Sequence, residues 1–166
     1  PDLLVVYPVH LNPNVRGTVF KLLANMPRVH LLDPLDYLNF INLMQRSYVI
    51  LTDSGGVQEE APSLHKPLLV IRRVTERPEA FEAGLSRVIG NARENIVSEV
   101  SRLLTDKEAY QAMSTGANPY GDGHASERIA KAVVNWARKK PALLSEDTQF
   151  KPRYIPKRLH AGRPLI

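Results

Sequence analysis

Short continuous apolar runs alternate along this chain with longer stretches whose apolar positions recur at helical spacing, the two signatures that separate buried strands from amphipathic helices. Leu3-Leu4-Val5-Val6-Tyr7, ended by Pro8, reads as a first strand. Asn12-Pro13-Asn14 is turn chemistry with Pro13 suited to the first turn of a helix. That helix is predicted to run to about Ala24, with Val15, Val19, Leu22 and Leu23 on one face. Val29-His30-Leu31-Leu32 is a second strand, stopped by Asp33-Pro34, and Asp36 can cap a helix through about Arg46. Tyr48 to Thr52 is a third strand, Val57 to about Leu64 a short helix, and Pro67 to Ile71 a fourth strand. Pro78 to Gly84 has a helix start and a glycine stop, and Ser86 to Ile89 is a weaker fifth strand. Helices follow at Asn95 to Leu104, Lys107 to Met113 and Ala125 to Lys139, the last with Ile129, Val133 and Trp136 on one stripe. Strands that are apolar throughout, alternating with helices over short connections, predict a parallel sheet with helices on both faces and right-handed crossovers.

Composition narrows the class. The 166 residues fit one domain, or one and a half, with 43% hydrophobic and 23% charged residues, the balance of a globular protein. No apolar run approaches the roughly 20 residues of a membrane span. The absence of cysteine excludes a disulfide scaffold, a thiolate zinc site and a thiol nucleophile. Pro1-Asp2-Leu3-Leu4 lacks the basic start of a signal peptide, so a cytoplasmic protein is expected. The missing initial Met and the immediate apolar run are those expected of a fragment or a processed form.

The net charge of +5 would suggest nucleic acid, but its distribution does not. From Arg138 onward there are eight Lys/Arg and two acids, whereas the preceding 137 residues hold 14 basic and 15 acidic. The basicity belongs to a tail with four prolines (Pro141, Pro152, Pro156, Pro164), expected to be irregular. A solvated extension, a nucleic-acid arm and a docking segment are all compatible with it, the first being the simplest. The division expected is therefore 1–140 as the folded domain and 141–166 as the tail, with neither nucleic acid nor membrane as a partner.

In folds of this class ligands bind beyond the carboxyl ends of the strands. Thr52-Asp53-Ser54-Gly55-Gly56-Val57-Gln58-Glu59-Glu60 lies at such a place. Gly55 and Gly56 would let a phosphate approach the backbone, Ser54 adds a hydroxyl, and Glu60 could accept from ribose hydroxyls. A plain strand-to-helix turn fits the loop equally well, and it matches neither a Walker loop nor a dinucleotide fingerprint. Arg77, before a helix start, could grip a phosphate through its fork, or simply pair with Glu76 or Glu79. The segment around Leu35 could read a base edge with Phe40 as an apolar wall, or Phe40 could be a core aromatic. His10 could contact a ligand or cap the next helix. Asn118-Pro119-Tyr120-Gly121-Asp122-Gly123 could close over a ligand or be a structural turn. Glu59 and Glu60, being adjacent, point about 100° apart on a helix and cannot form an acid–base pair. No His pair has metal-ligand spacing, so no metal is expected; no cofactor is expected either.

Four runs, in order and spacing, resemble the C-terminal half of the bacterial non-hydrolysing UDP-N-acetylglucosamine 2-epimerases. They are Tyr7-Pro8-Val9-His10-Leu11-Asn12-Pro13-Asn14-Val15-Arg16, Thr52 to Ser63, Thr75-Glu76-Arg77-Pro78-Glu79-Ala80, and Asn118 to Gly123. The likeness covers residues 3 to about 137. It implies a three-layer αβα Rossmann-like domain, the C-terminal lobe of a GT-B-like two-domain fold, with UDP held mainly by that lobe. Similar enzymes interconvert UDP-GlcNAc and UDP-ManNAc for cell-envelope polysaccharide biosynthesis, by eliminating UDP and adding it back with C2 inverted. The resemblance gives Ser54, Gly55 and Gly56 the diphosphate, Glu60 the ribose, Arg77 the diphosphate region, and Leu35 and Phe40 the uracil pocket. It places His10 in the activator site of members that need UDP-GlcNAc as activator. It also implies a homodimer for the full-length family and an N-terminal lobe carrying the catalytic acids and their His. Without that lobe the chain is expected to bind UDP and to be inactive alone, since the elimination needs both a base and an acid. His65 stands where the family usually has Gly, Arg73-Val74 where it has an acidic or polar residue and Thr, and Leu85 follows Gly84 where a Thr is usual. The missing lobe and these departures suit a non-catalytic UDP-sugar-binding module as an alternative. A GT-B glycosyltransferase nucleotide lobe is a further one, against which the His10 segment and the Asn118–Gly123 turn argue.

Overall fold

The computed structural model describes residues 3–151; the tail positions Pro152, Arg153, Pro156, Lys157, Arg158, Arg163 and Pro164, expected to be irregular, lie outside them. The protein is mixed α/β with parallel sheets, and it divides into two compact units between Arg46 and Ser47.

The first unit is a β-α-β-α run: β1 (Val5–Pro8), α1 (Pro13–Leu23), β2 (Val29–Leu32) and α2 (Tyr37–Arg46). β1 and β2 are parallel, Val5 opposite Val29 and Pro8 opposite Leu32. Pro8 therefore belongs to the strand instead of ending it. The N–H groups of Val5 and Val9 donate to Arg28 and Leu32 carbonyls, each at 2.9 Å. Alternation along the strand turns the nitrogen of Pro8 to the opposite edge, where its missing hydrogen costs no ladder bond. Asn12 caps α1 by accepting from the Asn14 N–H at 3.0 Å, with Pro13 in the first turn. Asp36 caps α2 as its position suggested, accepting from the Asn39 N–H at 3.0 Å and the Asn39 amide at 2.6 Å. These bonds hold the Asp36 carboxyl below its ordinary pKa, because they favour the charged form.

The second unit contains β3 (Ile50–Thr52), α3 (Gly55–Glu60), a 3₁₀ turn (Ala61–Leu64), β4 (Leu68–Val70), α4 (Pro78–Glu82), β5 (Ser86–Val88), α5 (Arg93–Thr105), α6 (Lys107–Ser114) and α7 (Ala125–Ala137). Its sheet has the order β3-β4-β5, parallel throughout, with Ile50 opposite Leu68 and Leu68 opposite Ser86. All of Leu68, Leu69 and Val70 are fully buried, which explains why this strand is apolar at every position instead of at alternate ones. Leu69 joins Ile89, Leu103 and Met113 in a core cluster, with Val49, Ile71, Ile96, Val100 and Ala109 packed around it. Tyr48 stacks on Tyr110 with ring centroids 4.2 Å apart. α5 begins two residues earlier than its apolar spacing predicts, because Arg93 and Glu94 form a polar first turn that periodicity cannot see.

Residues 141–151 have no helix or strand and run back along α7. Asn135 donates to the Leu143 carbonyl at 2.8 Å and Arg128 to the Thr148 carbonyl at 2.6 Å. The stripe on α7 is amphipathic as read, yet Ile129, Val133 and Trp136 are 63%, 57% and 72% exposed.

His65 closes the 3₁₀ turn in the left-handed region, at φ 54°. A side chain there crowds the following carbonyl, a cost that glycine avoids and partly offsets by its larger unfolded-state freedom. His65→Gly is expected to stabilise the protein by about 0.5–1 kcal/mol, read as a rise in melting temperature. An unchanged or lower melting temperature would show that the imidazole makes contacts worth more than the backbone strain.

Candidate functional site

The segment between β3 and α3 is built from local bonds. The Ser54 N–H donates to Thr52 Oγ1 at 3.1 Å, and Ser54 itself is extended, at the N-cap of α3, with its hydroxyl making no cap bond. The helix starts at Gly55, two residues before the expected Val57, so both glycines are in its first turn. Neither has the positive φ that Gly84, Gly90 and Gly123 adopt. They are not needed for an unusual turn; what they contribute is the absence of side chains. A Cβ on Gly55 would lie 3.9 Å from Arg77 Nη2, and one on Gly56 3.9 Å from Ser54 Oγ. Arg77 is thus brought to the start of α3 from 22 positions further along the chain.

Arg77 pairs with neither the Glu76 nor the Glu79 side chain. Its Nε donates to Glu59 Oε1, and its Nη1 donates to the Glu76 carbonyl at 3.1 Å. The Glu59 bond is the main cause raising the guanidinium further above its ordinary pKa, so its charge is permanent. The Arg77 backbone is also held. Its N–H donates to Thr75 Oγ1 at 3.0 Å and its carbonyl accepts from the Tyr120 hydroxyl at 3.5 Å. Thr75 in turn donates to Gln58 Oε1 at 2.6 Å, and Gln58 Nε2 donates to the Ser54 carbonyl at 3.1 Å. Gln58 is fully buried, and this chain of bonds satisfies both ends of its amide while tying the Arg77 loop to the start of α3.

Gln58, Thr75 and Tyr120 lie in segments the sequence singles out, but sequence reasoning gives none of them a role of its own. The signal that could have found Gln58 is its spacing of three and four from Ala61 and Pro62 of the following 3₁₀ turn, all buried: a polar residue on an apolar face needs partners. Glu60 is half-buried two turns from Ser54's cap region at the end of α3. The Asn118–Gly123 turn is anchored twice. Asn118 donates to Ser63 Oγ at 2.7 Å, and the Tyr120 hydroxyl accepts from the Ala80 N–H at 3.3 Å. Burial of the Tyr120 ring pushes its phenol up to about 12, so it stays a neutral donor. Asp122 meets Arg128 in two bonds of 2.6 Å, which hold its carboxyl well below the usual carboxylate range. A cleft of about 500 Å³ opens along this turn, lined by Ser63, His65, Asn118, Tyr120, Gly121, Asp122 and Gly123. Tyr120 links it to the Ser54–Arg77 constellation, but none of Ser54, Gly55, Gly56 and Arg77 lines it, and the constellation, where permanent cation, hydroxyl and uncovered backbone coincide, is the better anion site on chemistry.

In the first unit, His10 Nδ1 accepts from the Asn12 N–H at 3.1 Å, just ahead of α1. Leu35 and Phe40 are half-buried, Leu35 before α2 and Phe40 in its first turn with its N–H on the Asp36 carbonyl at 2.9 Å. Leu85 is buried with its methyls against Gly116: a Cβ there would come within 2.5 Å of Leu85 Cδ2. The side chain at this position therefore serves packing. Arg73 and Val74 are exposed. Among the described residues no three His, Asp or Glu side chains are grouped to hold a metal ion, and no helix is long and apolar enough to cross a membrane.

Residues 1–134 match the profile of the UDP-N-acetylglucosamine 2-epimerase family. The chain is 57% identical over 134 residues to the UDP-N-acetylglucosamine 2-epimerase of Escherichia coli K12, an overlap of 81% of this chain and 36% of that protein. Among solved structures, the S. aureus MnaA–UDP co-structure superposes with a TM-score of 0.79 at 48% identity, covering 87% of this chain and 40% of that one. The UDP-GlcNAc 2-epimerase from Neisseria meningitidis bound to UDP-GlcNAc gives 0.77 at 47% identity, covering 80% and 36%. The chain therefore spans well under half the length of the relatives it matches.

Proposed function

The chain belongs to the UDP-N-acetylglucosamine 2-epimerase family, and from that premise we propose that it is the UDP-holding part of such an enzyme. The observation that carries the reading is the position of Arg77. A permanently charged guanidinium stands beside Gly55, where α3 begins without side chains and Ser54 offers an uncommitted hydroxyl. A diphosphate placed there accepts from Arg77 Nη2, the Ser54 hydroxyl and the backbone of Gly55 and Gly56. Glu60 takes the ribose hydroxyls. The uracil role of Leu35 and Phe40 and the activator role of His10 rest on the resemblance.

The reaction proposed for the whole enzyme removes the C2 proton of UDP-GlcNAc, expels UDP from C1, and returns UDP after the proton is delivered to the opposite face of C2. Binding energy for the leaving diphosphate is what this chain contributes: cations and N–H donors stabilise the charge that develops as the C1–O bond breaks. The base and acid that move the C2 proton belong to the part of the family outside this sequence. The proposed setting is cytoplasmic, with the full-length enzyme a homodimer.

Calorimetric titration of UDP into the purified chain tests the reading. Binding in the micromolar to low-millimolar range is expected, with uridine much weaker. Adding the complementary segment of a relative is expected to start conversion of UDP-GlcNAc to UDP-ManNAc, which neither piece performs alone. A chain that takes up no UDP contradicts the reading; one that binds UDP yet never supports conversion is a binding module instead.

A further inference from the structure

We propose that Glu59 is a positioning residue for the diphosphate: by accepting from Arg77 Nε it fixes the guanidinium so that Nη2 is presented to the ligand. The inference rests on the UDP reading and deepens it. An arginine on a half-exposed stem samples many rotamers, and the entropy lost in stopping it is paid at the moment of binding unless the protein has already stopped it. Here the stopping is done in advance. The guanidinium is planar, and two of its nitrogens are anchored from two separate segments, Nε by the Glu59 side chain on α3 and Nη1 by the Glu76 carbonyl in the loop before α4. Two anchors on a planar group, together with the stem, define the plane. The nitrogen left over is Nη2, which is the one beside Gly55.

Other features show that Glu59 acts on orientation. The backbone of Arg77 is already secured through Thr75, Gln58 and Tyr120, so Glu59 is not required to hold the loop in place. Both side chains of the pair remain partly exposed, 35% for Arg77 and 45% for Glu59, so the pair contributes little to the fold. Its negative charge works against a bound diphosphate and is not what the site needs; the oxygen acceptor is. That separates the two chemical properties of the side chain and makes the role testable with glutamine, which keeps an oxygen at the same position without the charge.

The experiment is a set of titrations of UDP and uridine into the full chain and its Glu59→Ala, Glu59→Gln, Arg77→Ala and Glu59→Ala/Arg77→Ala variants, each checked for melting temperature. Glu59→Ala is expected to weaken UDP by about 10-fold, the size of one charge-assisted hydrogen bond at a half-exposed site. Glu59→Gln is expected to stay within about 2-fold of the parent, since the acceptor is retained. The double variant should bind no more weakly than Arg77→Ala, because both changes disable one device. Uridine, which lacks phosphate, should bind all five proteins alike. Should Glu59→Ala lower the melting temperature, the glutamine variant and the uridine controls still decide. Glu59→Ala binding UDP like the parent or more tightly, Glu59→Gln as weak as Glu59→Ala, or additive losses in the double variant each overturn the proposal. A parent chain that binds uridine and UDP equally, or neither, overturns the UDP reading itself.

Discussion

Replacing Arg77 with alanine is expected to weaken UDP binding by about 30- to 100-fold, the loss that follows removal of a fully charged, multiply hydrogen-bonded donor from a phosphate. The expectation follows from where the side chain is and how it is held. Glu59 and the Glu76 carbonyl anchor it, and it faces the one stretch of α3 that has no side chains. Lysine should not restore the affinity. It has no Nε–H to give Glu59 and no planar fork, so it would offer a mobile point charge where the site holds an oriented group. Uridine binding should be unaffected in both variants, since Arg77 is placed against phosphate and not base or ribose. Calorimetry with UDP, UMP and uridine separates these contributions. An Arg77→Ala protein that binds UDP as the parent does would falsify the assignment of the diphosphate to the start of α3.

Much of the fold was legible because its strands and helices advertise themselves locally. Pro13 after Asn12, Asp36 before Tyr37 and Pro78 after Arg77 each mark a helix start that the structure holds within a residue or two. The central strand could be read from Leu68-Leu69-Val70 because a strand buried on both faces has no polar position to interrupt the run. The errors have local causes too. Pro8 reads as a stop in the sequence, but a parallel strand tolerates proline wherever the nitrogen points away from its partner. Gly55 and Gly56 read as a turn ahead of the helix, but they are its first turn.

The site was legible as a set of segments and not as a set of contacts. The sequence points to Arg77 but offers only Glu76 and Glu79 as partners, because sequence proximity is the only proximity a sequence displays. The partner is Glu59, 18 positions away, and the loop is braced by Tyr120, a further 43 positions from Arg77. Periodicity carries no information about such pairs. Likewise the stripe of Ile129, Val133 and Trp136 reports that α7 is amphipathic and is silent about what lies opposite: in this chain the stripe faces outward.

That contrast between apolar positions that look alike in sequence gives the largest effect expected on stability. Leu69→Ala should cost about 3–5 kcal/mol, and Ile129→Ala less than about 0.5 kcal/mol. Both residues are branched aliphatics inside regular elements, and composition does not distinguish them. Leu69 is fully buried in the middle strand of the sheet, in the cluster with Ile89, Leu103 and Met113. Truncating it removes a side chain that touches α5 and α6 residues as well as a neighbouring strand end, and leaves a void that a parallel sheet is too stiff to close. Ile129 is 63% exposed and leaves water where water already was. Domains of this size are stable by about 5–15 kcal/mol, so Leu69→Ala takes a large share and should lower the melting temperature by roughly 6–20 °C. Parallel urea and thermal unfolding of the two variants measures the difference. Equal losses would mean that the second unit does not derive its stability from the cluster around Leu69, and that the α7 stripe is covered in solution.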